Sequence, residues 1–459
     1  MKNICGIIIL FAICQVCHGT IIQVPQDYST IQEAIGISSN NDTIFIANGT
    51  YNEDVNIDFF NDSLSIIGEN PESTIVRGIT NTITINDVGR CFISRLLISG
   101  NGDGIKITNS NGVVIRNCVI GGNSYFGVHL YYARTCTLDC NQICFNGMYL
   151  IKNSKNKTTL GLGNNCGVMV DNYSTNNIFL GNHIYSNCGS WHYGSGFNGY
   201  GVFIASNADS NKFIADTIRN NSGGDIGGAF DDPGCGYGVY VLKAKGIFFA
   251  NCTIDSNNGG YNVDYGFSGT GNGIVLDSGA TAIIGGDSLY SNRICDNNSV
   301  LNHNHNWNIL NNTANDIIAT YNYWGLEDTV SMRTRIFDHF LDSTKGYVII
   351  NPWVSGVENE KDKPINGLLL VLNNNYPNPF NNKTIIDYQI KKNTFVKLNI
   401  YNCLGNKIRN LVNSNQNTGK YSIVWDGKND FGQKVACGLY FCSLGAANER
   451  TTKKIVMIK

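Results

Sequence analysis

Apolar and polar positions alternate in short bursts along the chain, and the bursts repeat. The segments "GVHLYYARTCTLDCNQICFN" (127–146), "GVMVDNYSTNNIFLGNHIYSN" (167–187), "GVFIASNADSNKFIADTIRNN" (201–221), "GVYVLKAKGIFFANCTIDSNN" (238–258) and "GIVLDSGATAIIGGDSLYSN" (273–292) share one plan. A Gly opens each unit, alternating apolar residues follow, then a second apolar pulse. An apolar residue, two variable ones and an Asn close it. "GIKITNSNGVVIRNCVIGGN" (104–123) begins the series. Alternation with period two predicts strands. A unit of about twenty residues cannot bury its apolar positions alone, so successive coils must stack into one continuous core. Val128 and Leu130, Val168 and Val170, Val202 and Ile204, Val239 and Val241, and Ile274 and Leu276 are the predicted inward pairs. Asn123, Asn146, Asn187, Asn221, Asn257 and Asn292 recur at one corner. There amides can bond from coil to coil, or Asn can simply serve turns.

The ends of this pattern differ. Ser29 with Gln32 predicts a capping box for a helix over Thr30 to Gly36, with Ile31, Ala34 and Ile35 on its buried face. Beyond "NDIIATYNYWG" (315–325), the residues Met332, Ile336, Phe337, Phe340 and Leu341 fall at helical spacing. They predict a second helix over the last coil, with Asp338 and His339 in solvent. "GYVIINPWV" (346–354) is a final strand, and residues 357–372 hold a charged linker, "ENEKDKPING" at 358–367. From Leu368 the texture changes. Runs at 384–390, 395–401, 407–412, 421–426, 438–444 and 453–459 alternate between turn signals, which predicts a small β-sandwich. Pro377 and Pro379 hold the chain extended before its first regular strand, and Phe380 is the expected plug of its core.

Composition narrows the picture. Among 459 residues the net charge is −2, only 15% are charged, and glycines number 51. These values fit a turn-dense β protein and give no basic footprint for nucleic acid. Residues 1–19 read as a signal peptide: Lys2, then the apolar "ICGIIILFAICQVC", with cleavage near Gly19. No later stretch is apolar enough to span a bilayer, so the mature chain is expected to be exported without a transmembrane segment. Of sixteen cysteines, Cys5, Cys14 and Cys17 leave with the signal, and the thirteen others have no readable pairing. Cys136, Cys140 and Cys144 sit on strand-like sequence without a nearby His. Buried apolar thiols or stray disulfides are expected there rather than a metal site. The residues call for no cofactor, and none of their spacings specifies a calcium site.

The coil series, the opening "IIQVPQDYSTIQEAIGISSNNDTIFIANGTYNEDVNI" and the closing "YNYWG" resemble the right-handed parallel β-helix proteins of the pectate-lyase-like group, over residues 21–354. The resemblance implies an all-β solenoid over 20–356 with an N-terminal helix cap and a C-terminal helical cap. "NYPNPFNNKTIIDYQI", "VKLNIYNCLGNKIRNLV", "GKYSIVWDGKNDFGQKVACGLYFCSL" and "KKIVMIK" resemble the C-terminal sorting domain of the type IX secretion system, an immunoglobulin-like sandwich. That second resemblance implies that residues 373–459 are an address read by the type IX machinery, which carries the chain through the periplasm to the outer surface or beyond.

Inserts at 147–166, 188–200, 222–237 and 258–272 all enter at the corner between a closing Asn and the next opening Gly. Coils rise about 4.8 Å each, so the inserts should form one wall, a position where function concentrates. Trp191, His192, Tyr193, Phe230, Tyr237, Tyr261 and Tyr265 are the expected binding residues for a polysaccharide, since rings stack on sugar faces and neighbouring acids bind hydroxyls. The same aromatics would also serve to pack the loops against one another. Asp231, Asp232 and Asp264 are the catalytic candidates. The chain carries none of the catalytic motifs of the enzymes it resembles; "DDPGCG" (231–236) departs from the epimerase Asp-Pro-His-Glu after its Pro. If an enzyme, it would be a polysaccharide lyase or glycoside hydrolase. His303 and His305 are expected as loop residues. A second class stays open: a non-catalytic structural or adhesive surface protein.

Overall fold

The computed structural model describes residues 19–58, 63–147, 165–189, 198–224, 234–260, 269–297, 306–355, 370–372, 375, 380–390, 393–402, 407–435, 438–446 and 449–457. The chain divides into two compact units, residues 1–357 and 358–459. In the first, strands form three parallel sheets of twelve, ten and nine strands among the described residues. One coil shows the path. Ile105–Thr108 lies in the ten-stranded sheet, Val113–Arg116 in the twelve-stranded sheet, and Val119–Gly121 in the nine-stranded sheet. Val128–Tyr131 then returns to the ten-stranded sheet one level up, as partner of Ile105–Thr108. This is a right-handed parallel β-helix, the hand that parallel crossovers take.

The period-two pattern does what it predicts. Val55, Ile83, Ile105, Val128, Val168, Val202, Val239, Ile274, Ile309 and Ile336 stand in one column of register partners. All are buried in one continuous core, and each such side chain contributes roughly 1.5–3 kcal/mol of burial. Inside the twelve-stranded sheet Phe179, Phe213 and Phe249 stack at 4.4 and 5.1 Å. Trp324 closes the same core near its end.

The Asn corner is a buried amide ladder. Asn123, Asn146 and Asn187 each donate Nδ2 to the Oδ1 of the next ladder residue at 2.8–3.0 Å, and Asn221 and Asn257 continue it. The ladder explains the Gly that opens each unit. A Cβ on Gly201 would lie 2.7 Å from Asn221 Nδ2, and one on Gly127 2.6 Å from Asn146 Nδ2. Asn292 corrects the sequence reading. The member after Asn257 is Asn297, whereas Asn292 bonds to Asn322 in a second ladder between the twelve- and nine-stranded sheets. Asn141, Asn182 and Asp216 occupy that second corner lower in the stack.

Both caps differ in detail from expectation. Helix α1 spans Ile31–Ile37, and its capping box is Thr30 with Glu33, not Ser29 with Gln32. Gln32 instead clamps the strand beside it, exchanging hydrogen bonds with Asn56 N and O. Helix α2 covers only Thr329–Arg333, with Met332 buried. The apolar spacing beyond it is not helical. Ile336 and Phe337 pair in parallel with Ile309 and Leu310, and Phe340 and Leu341 are exposed. Asp338 is buried rather than solvated, accepting from Arg333 Nη1 at 2.7 Å and Val348 N at 2.9 Å.

Cys118, Cys136, Cys166, Cys252 and Cys295 are buried free thiols. Burial pushes the thiol of Cys118 up to about 12, so these side chains behave as small apolar groups. In the second unit, antiparallel sheets of three and four strands among the described residues enclose one core. Phe380 is buried there against Trp425, centroids 5.3 Å apart. Pro377 and Pro379 lie outside the described residues.

Candidate functional site

The inserts leave the nine-stranded sheet and enter the ten-stranded sheet, all at one corner: between Cys144 and Asn165, Tyr185 and Gly199, Arg219 and Gly236, and Asp255 and Gly271. Where they join the scaffold the backbones are pressed together. Gly199, Gly236 and Gly271 are register partners, and a Cβ on Gly236 would lie 1.6 Å from Asn258 O. Of the expected binding residues only Tyr237 is described. Trp191, His192, Tyr193, Phe230, Tyr261 and Tyr265 lie outside the described residues, as do Asp231, Asp232, Asp264, His303 and His305.

Tyr237 belongs to a cluster where the inserts rejoin the ten-stranded sheet. Its ring stacks on Tyr200 at 5.0 Å, and Phe203 stacks on Tyr240 at 5.4 Å. Tyr240 meets Tyr200 and Tyr237 edge-on. The register Tyr200↔Tyr237 and Phe203↔Tyr240 fixes these pairs. Tyr240 donates its hydroxyl to Asp277 Oδ2 at 2.6 Å, and Asp277 Oδ1 accepts from Asn312 Nδ2. Burial pushes the Tyr200 phenol up to about 12 and raises those of Tyr237 and Tyr240 as well. The three phenols therefore stay protonated and supply no base.

The opposite edge of the same sheet is also aromatic. Tyr131 ends the strand Val128–Tyr131, and Tyr132 lies edge-on to it at 4.9 Å. Tyr132 stacks on Tyr173 of the next coil at 5.6 Å, and both rings are exposed. Tyr132 and Tyr173 hold φ of 52° and 53°, a left-handed conformation unfavourable for bulky residues. The same φ recurs at this corner in other coils, as at Asp87, Asn109, Lys243 and Ser278, so it belongs to the turn.

Between the two edges lies a polar pair that sequence reasoning missed. Asp103 Oδ2 accepts from His129 Nδ1 at 3.2 Å, while its Oδ1 accepts from Phe126 N. The signal was present: His129 sits between buried Val128 and Leu130, so its side chain faces outward. Its partner is 26 residues away and reaches it only through stacking.

Fold and tail together define the class: an exported β-helix protein carrying its own secretion address. Residues 374–459 match the family described as the secretion system C-terminal sorting domain. The second unit is that sorting module, and the protein is carried by the type IX route to the cell surface or beyond. None of the curated proteins matches the chain. Among solved structures it is similar to ORF18 of Geobacillus virus E2 (13% identity, 88% of this chain and 76% of that one, TM-score 0.37). It is also similar to an alginate lyase from Paenibacillus sp. str. FPU-7 (16%, 64% and 91%, TM-score 0.29). A third likeness is to a pectin methylesterase from carrot (13%, 58% and 88%, TM-score 0.30).

Proposed function

We propose that the protein binds polysaccharide across the outer face of the ten-stranded sheet, between the corner where the inserts join it and the Tyr132–Tyr173 ledge. One observation carries this reading. Aromatic rings border both edges of a single regular face, and the carboxylates of Asp103 and Asp277 lie among them. Rings stack on sugar faces, and fixed acids take sugar hydroxyls. The face runs over successive coils, so it can follow a chain-like ligand along its length.

The test is a glycan array probed with the full chain, followed by titration of the Tyr132→Ala/Tyr173→Ala double variant. Both rings are exposed, so the variant keeps its melting temperature. Binding is expected to weaken at least about tenfold, as loss of aromatic anchors does. Absence of binding across plant, algal and bacterial polysaccharides would sink the reading. A second expectation concerns the address. A chain ending at Gly356 stays inside a host that has the type IX system, whereas the full chain appears outside; cell fractionation and immunoblotting check this.

A further inference from the structure

We infer that two copies of this chain pair face to face through the outer surface of the twelve-stranded sheet, around Ile283 and Ile318. This surface belongs to a different sheet from the glycan face proposed above, and the pairing does not depend on that reading.

Period-two alternation places polar residues outside where a sheet meets water. The nine-stranded sheet follows this rule: Gln142, His183, Thr217, Thr253 and Arg293 form one outward column. The twelve-stranded sheet breaks it. There the outward column reads Ile178, Lys212, Phe248, Ile283, Ile318 and Ile349. The inner face of the same strands holds the buried Phe179, Phe213 and Phe249, so these strands are apolar on both sides. Parallel strands of that composition belong to sheets covered on both faces. Here the outer face is open: Ile178, Leu180, Ile283, Ile318 and Ile349 are each 37–43% exposed.

The strip has clear borders. At its lower end Arg116 and Asp139 form an ion pair at 2.6 Å. At its upper end Ile349 lies on the last strand of the sheet. Along one flank stands the 3-10 turn Ser288–Tyr290, whose Tyr290 ring meets Phe248 edge-on at 5.6 Å, with Leu289 exposed beside it. Lys212 is the charged member of the column, and a lysine stem can lie along an apolar surface while its ammonium reaches water at the rim.

Size and spacing select a second copy as the occupant. Twelve strands about 4.8 Å apart make a face about 50 Å long and about 10 Å wide, so two copies bury roughly 1,000 Å² between them, the area at which a specific interface begins. The ledge of Leu289 and Tyr290 adds to this. The ridges of the face repeat with the strand spacing, and another copy of the same sheet offers grooves of the same spacing. Two such faces interdigitate about 10 Å apart, as stacked sheets do. A two-fold pair also uses one patch twice, so a single run of apolar substitutions suffices to build the whole contact.

The ten-stranded sheet takes no part in the contact, so the dimer carries two such faces. On the polysaccharide reading, and only on it, the dimer holds a long polymer more tightly than a monomer does, while a short oligosaccharide shows no such gain.

The experiment is sedimentation velocity on the full chain from about 1 to about 100 μM, the range suited to an interface of this modest size. The wild type is expected to pass from monomer to dimer across it. Ile283→Glu/Ile318→Glu sets two unpaired carboxylates in the contact and should weaken the dimer about a hundredfold or more. Both side chains are exposed in the single chain, so the melting temperature holds. Ile283→Thr/Ile318→Thr keeps β-branched residues in the strands and should shift the same equilibrium, which keeps the test sharp if the Glu variant folds poorly. Thr253→Glu, outward on the nine-stranded sheet, should leave the dimer intact. A monomer over the whole range overturns the proposal. So does a dimer that survives unchanged in a folded Glu or Thr double variant, because the copies are then joined elsewhere. Equal polymer binding by the wild-type dimer and the monomeric variant overturns the avidity consequence alone.

Discussion

Replacing Asp216 by Asn raises the stability of the β-helix above pH 7 and removes a slope from its pH dependence. Asp216 stands in the second ladder, where the other corner residues are amides such as Asn141 and Asn182. Its Oδ1 accepts from Asn182 N and Nδ2 at 2.7 and 2.9 Å, and its Oδ2 accepts from Ile214 N. It is fully buried, and burial pushes its carboxyl from 3.8 up to about 7, against the pull of those donors. The folded state therefore binds this proton more tightly than the unfolded chain. Stability from this group is complete below pH 3.8 and is lost as pH rises to about 7. The loss amounts to roughly 4 kcal/mol in all. An Asn amide carries no such titration. Its Nδ2 can turn to a main-chain carbonyl as Asn182 does with Leu138 O, in register with Phe179. Denaturant unfolding at pH 5 and pH 8 is the measurement: the wild-type midpoint falls between them, and that of Asp216→Asn falls less. Equal slopes would show that the carboxyl is not held in this state.

Asn187→Ala should destabilise the β-helix by roughly 3 kcal/mol, through orphaned partners rather than lost volume. Asn187 Oδ1 is the acceptor for Asn146 N and Asn146 Nδ2, and its own Nδ2 donates to Ile143 O and Asn221 Oδ1. All of these groups are buried. Removing the amide leaves Asn146 N without its acceptor and thins the bonding of the other three. Chemical denaturation followed by far-ultraviolet circular dichroism reads the change. A Gly201→Ala chain is a useful companion, because its new methyl would press on the ladder from the other side.

The coil architecture was legible because its signals are local. Alternation at Val128 and Leu130 or Val202 and Ile204 states which side chains point inward, and stacking then follows from burial. The strands of the tail were legible for the same reason. Asn292 was misplaced because the short 3-10 turn at Ser288–Tyr290 inserts an extra segment, and its "SN" ending imitates the end of a coil. The second cap was overdrawn because Ile336 and Phe337 satisfy helical spacing, while the open edge at Ile309–Leu310 offered them a parallel partner. Tertiary pairing outweighed local pattern there. The site was legible only in part. Tyr237 could be read as the foot of an insert. Asp103 and His129 belong to different coils, so nothing in their immediate sequence announces that they meet.

The corner shared by the four inserts separates what the protein is from what it contacts. Across each insert the strands keep one-to-one register, as Val168↔Val202↔Val239↔Ile274 shows, although the intervening segments differ in length and residue content. A loop at this corner can thus be exchanged like a cassette without disturbing the coils above and below it. Ligand preference in such a chassis is free to drift quickly while the fold stays fixed, and grafting a foreign loop between Tyr185 and Gly199 becomes an engineering route rather than a folding risk.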